Sequence, residues 1–105
     1  MIVIENEPSA SVLKSQLETE MPDAAVVNVN YVETPTDLRT NRKGLTVAAL
    51  HAVSGQLIIL TSFEPEESLR QDERFVSLMS KPNVAFLRLP ARIDDYRKAY
   101  QALRQ

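Results

Sequence analysis

The side chains best suited to chemistry in this sequence stand at the ends of its short apolar runs. In chain order they are Glu5, Asn6, Asn28, Thr61, Ser62, Arg88 and Leu89. In a parallel sheet such residues meet beyond the carboxyl ends of the strands, where α/β proteins form their sites. Glu5 and Glu7 are the nearest approach to a site for a hard cation such as Mg²⁺. Alternate side chains of an extended chain point apart, however, so a solvated turn before Pro8 is the alternative.

The other polar candidates each have a structural alternative. Asn28 could be an amide where another protein keeps a carboxylate, or it could hydrogen-bond a neighbouring loop. The hydroxyls of Thr61 and Ser62 could bind an oxyanion or phosphate, or they could simply finish the strand. His51 falls on the polar side of its predicted helix, which indicates a surface residue.

A second group of candidates lies near the end of the chain and indicates contact with a partner. Arg88 and Arg92 could meet an acidic partner or begin a solvated helix. Tyr96 and Tyr100 belong to an apolar stripe with spacings of three and four residues, which is typical of core packing. We nevertheless include all four as candidate interaction residues.

Composition limits the classes of function. The 105 residues predict one domain, 1–105, and a net charge of −2 gives no reason to expect nucleic-acid binding. The sequence has no cysteine and one histidine, which excludes cysteine chemistry and a histidine-rich metal site. Its two glycines leave no glycine-rich phosphate loop. We therefore predict no enzyme activity and no cofactor. The first apolar run stops at Glu5, so we expect neither a signal peptide nor a membrane span, and a cytoplasmic location.

Apolar runs alternate with segments of helical spacing along the chain. The predicted strands are Met1–Ile4, Asp23–Asn30, Gln56–Ser62 and Val84–Leu87. The predicted helices are Ser9–Met21, Leu45–Val53, one around Phe75, Leu78 and Met79, and Ile93–Leu103, with a long polar loop at Tyr31–Lys43. Strands alternating with helices predict an α/β fold: flavodoxin-like, three-layered, with a mainly parallel sheet of about four strands.

In this order the segments resemble the receiver domain of bacterial response regulators. Ile2–Pro8 resembles the opening strand that leads into acidic residues, and Pro22–Asn30 resembles the strand that carries the phospho-acceptor aspartate. Ile58–Ser62 resembles the strand that ends in the switch hydroxyl. Phe86–Pro90 is similar to the segment that ends in Lys-Pro, and Ile93–Leu103 to the closing helix. The resemblance implies one strand–helix unit fewer than an ordinary receiver has, lost between the first two strands.

The positions that carry receiver chemistry are changed. Asn28 stands at the acceptor aspartate, and an amide is a poor nucleophile toward a phosphoryl group. Glu5 and Asn6 replace the acidic pair that would hold Mg²⁺, and Leu89 replaces the lysine. Only the hydroxyl of Thr61 is kept. The resemblance thus implies a degenerate, truncated receiver, or pseudo-receiver, without phosphoryl transfer and without a metal.

The resemblance also implies a regulatory protein-interaction module, in bacterial two-component signal transduction or transcription control. Its partner would be a second copy or a larger regulator, with no nucleic acid and no membrane. The alternatives are a receiver-like switch that senses a ligand or metal, and a small α/β enzyme subunit.

Two structural expectations follow from the resemblance. The peptide bond between Leu89 and Pro90 should be cis. We favour pairing of the first strand with the second, and the right-handed crossover rule then puts the first helix on the face of the middle helices. The alternative sheet order, 2-1-3-4, keeps that helix beside the last one.

Overall fold

A four-stranded parallel sheet organises the computed structural model, which describes residues 1–104. The strands are β1 (Ile2–Ile4), β2 (Ala24–Asn28), β3 (Leu57–Ser62) and β4 (Val84–Arg88), in the order β1-β2-β3-β4. Val26 of β2 lies opposite Val3 on one side and Ile59 on the other. The central strands are apolar on both faces, as strands covered by helices on both sides must be. The predicted α/β, three-layer fold and the favoured strand order are confirmed.

Within residues 1–104, five helices and two 3₁₀ turns surround the sheet; the last helix follows the last strand, and the others lie between strands. The helices are α1 (Lys14–Leu17), α2 (Lys43–Val53), α3 (Glu66–Leu69), α4 (Glu73–Met79) and α5 (Ile93–Leu103). The 3₁₀ turns are Ser11–Leu13 and Arg39–Asn41. None of the helices in residues 1–104 combines the length and the apolar character that crossing a bilayer requires.

The first helix is much shorter than the predicted Ser9–Met21. Its apolar positions nevertheless behave as the spacing predicts, because Ala10, Leu17 and Met21 are all fully buried. The carboxylate of Glu5 accepts hydrogen bonds from the backbone N–H groups of Ser9 and Ser11, which holds the start of the segment in a turn. Apolar spacing fixes which side chains face the sheet, but it does not require an unbroken helix between them.

Each face of the sheet has its own apolar core. On one face, α2, α3 and α4 pack against the side chains of β2 and β3 that point towards them. Leu45 and Phe75 are fully buried in this core. On the other face α1 and α5 pack together over Val26 and Ile59, with Tyr96 fully buried between them. The core therefore lies in two layers on either side of β2 and β3.

The position of α1 contradicts the expectation that it would lie on the same face as the middle helices. It packs beside α5 on the opposite face, although β1 does pair with β2. The β1–β2 connection therefore has the opposite hand to the two connections that follow it, against the usual right-handed rule. We attribute this to burial of apolar surface, because α5 alone would leave apolar side chains on this face of the sheet exposed to water. Contacts between Arg97 and Glu20 join the two segments directly.

Candidate functional site at the carboxyl edge of the sheet

The carboxyl ends of the strands border a cleft of about 400 Å³. Its walls come from the segment after β1, the end of β2, the loop before α2 and the segment after β3. The residues that line it are Asn6, Glu7, Pro8, Ser9, Asn28, Asn30, Arg39, Thr40, Phe63 and Glu64. Of the candidates from the sequence, Asn6, Glu7 and Asn28 reach this cleft, whereas Glu5, Thr61 and Leu89 do not line it.

Glu5 acts as a local cap in this structure. One carboxylate oxygen accepts the N–H groups of Ser9 and Ser11 at 2.8 and 2.9 Å, and the other accepts that of Ala10 at 3.3 Å. Glu7 instead forms an exposed ion pair with Arg39 at 2.8 Å. Among residues 1–104, no three His, Cys, Asp or Glu side chains are grouped as they would be to hold a metal.

Asn6 holds the long loop that precedes α2. Its side-chain amide donates to the carbonyl of Val32 at 2.8 Å, and its Oδ1 accepts the N–H of the same residue at 2.6 Å. Asp37 then accepts the backbone N–H groups of Thr34 and Glu33, each at 3.0 Å. The hydrogen bond from Thr34 is the main reason that the pKa of Asp37 lies below its usual value. The loop is thus held by its own side chains and by the end of β1.

Asn28 and Thr61 hydrogen-bond to each other and to the neighbouring backbone. The Oδ1 of Asn28 accepts the N–H of Asn30 at 2.8 Å, and its Nδ2 lies 3.4 Å from the Thr61 hydroxyl oxygen. A carboxylate at this position could accept the first bond but could not donate the second. Thr61 is fully buried, so its hydroxyl lies below the cleft surface. This arrangement agrees with the structural alternative for Asn28.

A polar network that the sequence did not indicate links the ends of β2 and β3. The Ser62 hydroxyl donates to Oδ1 of Asn30 at 2.6 Å, and the Asn30 amide donates to Glu64 at 2.7 Å. Ser62 also accepts the backbone N–H of Glu64 at 3.0 Å. Arg42 closes the network with two hydrogen bonds to Glu64, at 2.8 and 3.1 Å. This pairing with Arg42 lowers the pKa of Glu64.

The network continues from Arg42 to the start of α4. Arg42 adopts a left-handed backbone with φ of +52°, and its guanidinium lies 3.5 Å from the Asp72 carboxylate. Asp72 caps α4 by accepting the N–H of Arg74 and also pairs with the Arg74 side chain at 2.7 Å. These contacts, of which the Arg74 side chain gives the largest effect, lower the pKa of Asp72 to about 2. Arg42 therefore ties the loop after β3 to two helices.

Gly44 allows α2 to begin directly against the end of β2. A Cβ atom added there would lie 1.8 Å from the carbonyl oxygen of Asn28. The N–H of Gly44 donates to the carbonyl of Val29 at 3.0 Å, so the two backbones are in direct contact. Any side chain at this position would push the helix, and Arg42 with it, away from the site.

Leu89, which the resemblance matches to the receiver lysine, is an apolar core residue. Its side chain is 4% exposed, and its N–H donates to the carbonyl of Ser62 at 2.8 Å. The peptide bond between Leu89 and Pro90 is cis, which confirms the prediction.

The candidate interaction residues divide into two buried and two exposed side chains. Tyr96 and Tyr100 are 0% and 9% exposed and pack between α1 and α5, as the spacing of the stripe predicts. Burial raises the pKa of Tyr96. The Tyr100 hydroxyl donates to Asp23 at 2.6 Å, so both tyrosines face the interior of the chain. Only Arg88 and Arg92 of the four are exposed and available to a partner.

Arg88 and Arg92 lie beside a second, more apolar groove of about 340 Å³. It adjoins the cleft, with which it shares Pro8, Ser9 and Phe63. Its other residues are Val12, Leu13, Leu89, Pro90, Ala91, Arg92 and Ile93. The Arg88 side chain donates to the carbonyl of Phe63 at 3.3 Å, and the backbone N–H of Arg92 donates to the Asp95 carboxylate at 2.8 Å. Within residues 1–104 neither guanidinium forms an ion pair.

Comparison with known proteins gives no relative for this chain. No protein-family model matches the sequence, and neither a curated protein nor a solved structure matches it. The likeness to receiver domains therefore stays a prediction that rests on the residues at the strand ends and on the layout of the sheet.

Proposed function

We propose that this chain is a regulatory protein-interaction module, related in design to a response-regulator receiver, that acts without phosphorylation. A single observation carries the proposal: the groups at the receiver-like positions are engaged inside the chain. Glu5 caps a turn, Asn6 holds a loop, Asn28 bonds Thr61, and Leu89 lies in the core. Of these four residues, only Asn6 and Asn28 line the cleft, and an amide is a poor nucleophile toward a phosphoryl group.

The groove beside Arg88 and Arg92 is the surface best suited to a protein partner. It offers exposed apolar side chains, with Val12 67% and Phe63 56% exposed, next to two arginines whose side chains form no ion pair within residues 1–104. Arginine and aromatic side chains are enriched where proteins bind one another. A segment that combines apolar and acidic residues would match both features of this surface.

Phosphorylation chemistry tests the first half of the proposal. The protein is incubated with acetyl phosphate and Mg²⁺ and its intact mass is measured, with an ordinary receiver treated in parallel as a positive control. We expect the mass to stay unchanged, and we expect no thermal shift with Mg²⁺ and beryllofluoride at millimolar concentration. A phosphoryl adduct that disappears in Thr61→Val or Asn28→Ala would contradict the proposal.

Selection of short peptides displayed on phage tests the second half. We expect the bound peptides to be enriched in acidic and apolar residues, and we expect Arg88→Glu combined with Arg92→Glu to abolish their binding. The matched control is Lys98→Glu, which reverses an exposed charge on α5 outside the groove. Enriched peptides that bind the double variant as well as the original protein would show that this groove is not the contact surface.

A ligand-sensing switch is the second candidate, because the cleft itself has the volume of a small-molecule site. Its 400 Å³ falls within the usual range for ligand pockets, and its lining combines amide groups with the ring of Phe63. Nuclear magnetic resonance with a collection of small polar compounds tests this. Shifts confined to Asn6, Asn28 and Asn30 and abolished by Phe63→Ser would favour the switch over the module.

A further inference from the structure

A third cleft lies away from the carboxyl edge, between α2 and α4, and has a volume of about 370 Å³. Leu45, Ala49 and Leu78 give it an apolar floor, and Glu73 and Lys81 stand at its rim. Neither the proposed interaction groove nor the receiver-like positions contribute to it. This cleft is therefore separate from the two sites described above.

The two most exposed large apolar side chains of residues 1–104 lie next to this cleft. Leu50 is 73% and Val53 is 81% exposed, and both belong to α2. Helical spacing puts them on the flank that also carries Thr46 and Ala49, both of which line the cleft. Exposed apolar side chains that adjoin one another are typical of a surface that another molecule covers.

The charges at the rim indicate which molecule covers it. Glu73 begins α4 and Lys81 follows its end, so they stand about 12 Å apart along the helix axis. Within residues 1–104 neither has an ion partner, whereas nearby Arg42, Asp72 and Arg74 are all paired. Arg74 lines the same end of the cleft as Glu73, but it is neutralised by Asp72, so Glu73 is the uncompensated charge there. The cleft is therefore acidic at one end and basic at the other, and a rotation by 180° makes it complementary to itself.

We propose that a second copy of this chain covers the α2–α4 cleft in a two-fold symmetric dimer. A two-fold interface brings the same patch of both copies together, so each contact occurs twice. The two-fold axis would pass near Ala49 and Ser77, two small residues of the cleft. It would place Glu73 of each copy opposite Lys81 of the other copy. Leu50 and Val53 then pack against α2 of the other copy.

The alternation of charge also argues against other occupants. A nucleic acid or an anionic membrane would be attracted by Lys81 but repelled by Glu73 at the other end of the same cleft. A different protein would need the opposite arrangement of charges on its own surface, which a second copy supplies without further assumption. The proposal is independent of the proposed regulatory function, because it concerns a different face of the molecule.

Sedimentation velocity over a range of concentrations and at two salt levels tests the dimer. We expect a concentration-dependent dimer in the original protein, weaker at high salt, and at least about tenfold weaker dimerisation in Leu50→Glu. Val76→Glu is the matched control, because Val76 is 44% exposed on α4 but does not line the cleft. A protein that stays monomeric at every concentration, or a dimer weakened equally by both variants, would overturn the proposal.

Charge reversal tests the two-fold arrangement itself. Glu73→Lys and Lys81→Glu should each weaken self-association at least about tenfold, because each puts like charges opposite one another. A mixture of the two variants should form a mixed dimer, since every rim contact is then again between opposite charges. Circular dichroism serves as the folding control. We expect both variants to be folded, because both substitutions are at the surface. If the mixture associates no better than either variant alone, the symmetric arrangement is wrong.

Discussion

Replacement of Asp72 by asparagine should reduce the stability of the fold by an amount that depends on pH. Asp72 lies between Arg42 and Arg74, and its carboxylate is 15% exposed. Asparagine has nearly the same shape and remains a good helix N-cap, so the substitution removes the charge and keeps the cap of α4. The expected loss therefore reports the electrostatic part of the interaction.

The pKa of Asp72 gives the magnitude. It falls from 3.8 to about 2 in the folded chain, and each pKa unit corresponds to about 1.4 kcal/mol, so the upper value is about 2.5 kcal/mol. Arg74 is 45% exposed, so water and salt screen part of this attraction. We expect Asp72→Asn to lower the free energy of unfolding by about 1.5 kcal/mol at pH 7. Asp72→Ala also removes the cap and should cost about 1 kcal/mol more.

Urea unfolding followed by circular dichroism at several pH values measures the effect. Because the folded-state pKa is the lower one, the stabilisation is fully present above about pH 5 and is lost as the pH falls towards 2. The difference between the original protein and Asp72→Asn should therefore shrink by about half at pH 3. Equal stability at pH 7, or a difference that does not change between pH 7 and pH 3, would refute the reasoning.

Two further substitutions, each with a control variant, test how the site is built. Gly44→Ala should lower the free energy of unfolding by at least about 3 kcal/mol or prevent folding, because the added Cβ would overlap the Asn28 carbonyl. Gly55 has a φ of +83° but open space around it, so Gly55→Ala should lower the free energy of unfolding by only about 1 kcal/mol. Thermal unfolding of both variants measures this, and equal losses would contradict the close contact. Leu89→Lys introduces the residue type that the receiver resemblance would lead one to expect. It should lower the free energy of unfolding by about 4 kcal/mol at pH 7 because the side chain is buried, whereas Leu89→Met should lower it by less than about 1.5 kcal/mol. A stable Leu89→Lys variant in chemical denaturation would show that the position can hold a cation.

The sequence predicted those features of the fold that depend on each segment alone. Apolar runs gave the four strands, and the spacing from Ile93 to Leu103 gave the bounds of α5 and its buried face. The strands and α5 were predicted correctly because the period of the apolar residues is a property of the local backbone. That Asn28 and Leu89 perform no receiver chemistry stays a prediction; the structure shows that both are engaged in contacts within the chain.

Only the tertiary structure decided how the segments are combined. The apolar spacing of Ala10, Leu17 and Met21 shows which side of their segment is buried, but it is the same whichever face of the sheet they cover. The choice of the α5 face depends on coverage of the whole sheet and on contacts such as that between Arg97 and Glu20, which are 77 residues apart.

The network from Asn30 to Asp72 was missed for the same reason. Arg42 and Glu64 are 22 residues apart, and no local pattern marks them as partners. They meet because parallel strands bring the residues that follow them to one edge. A sequence states which side chains of a segment must be buried, whereas the distant groups that they meet depend on the free energy of the complete fold.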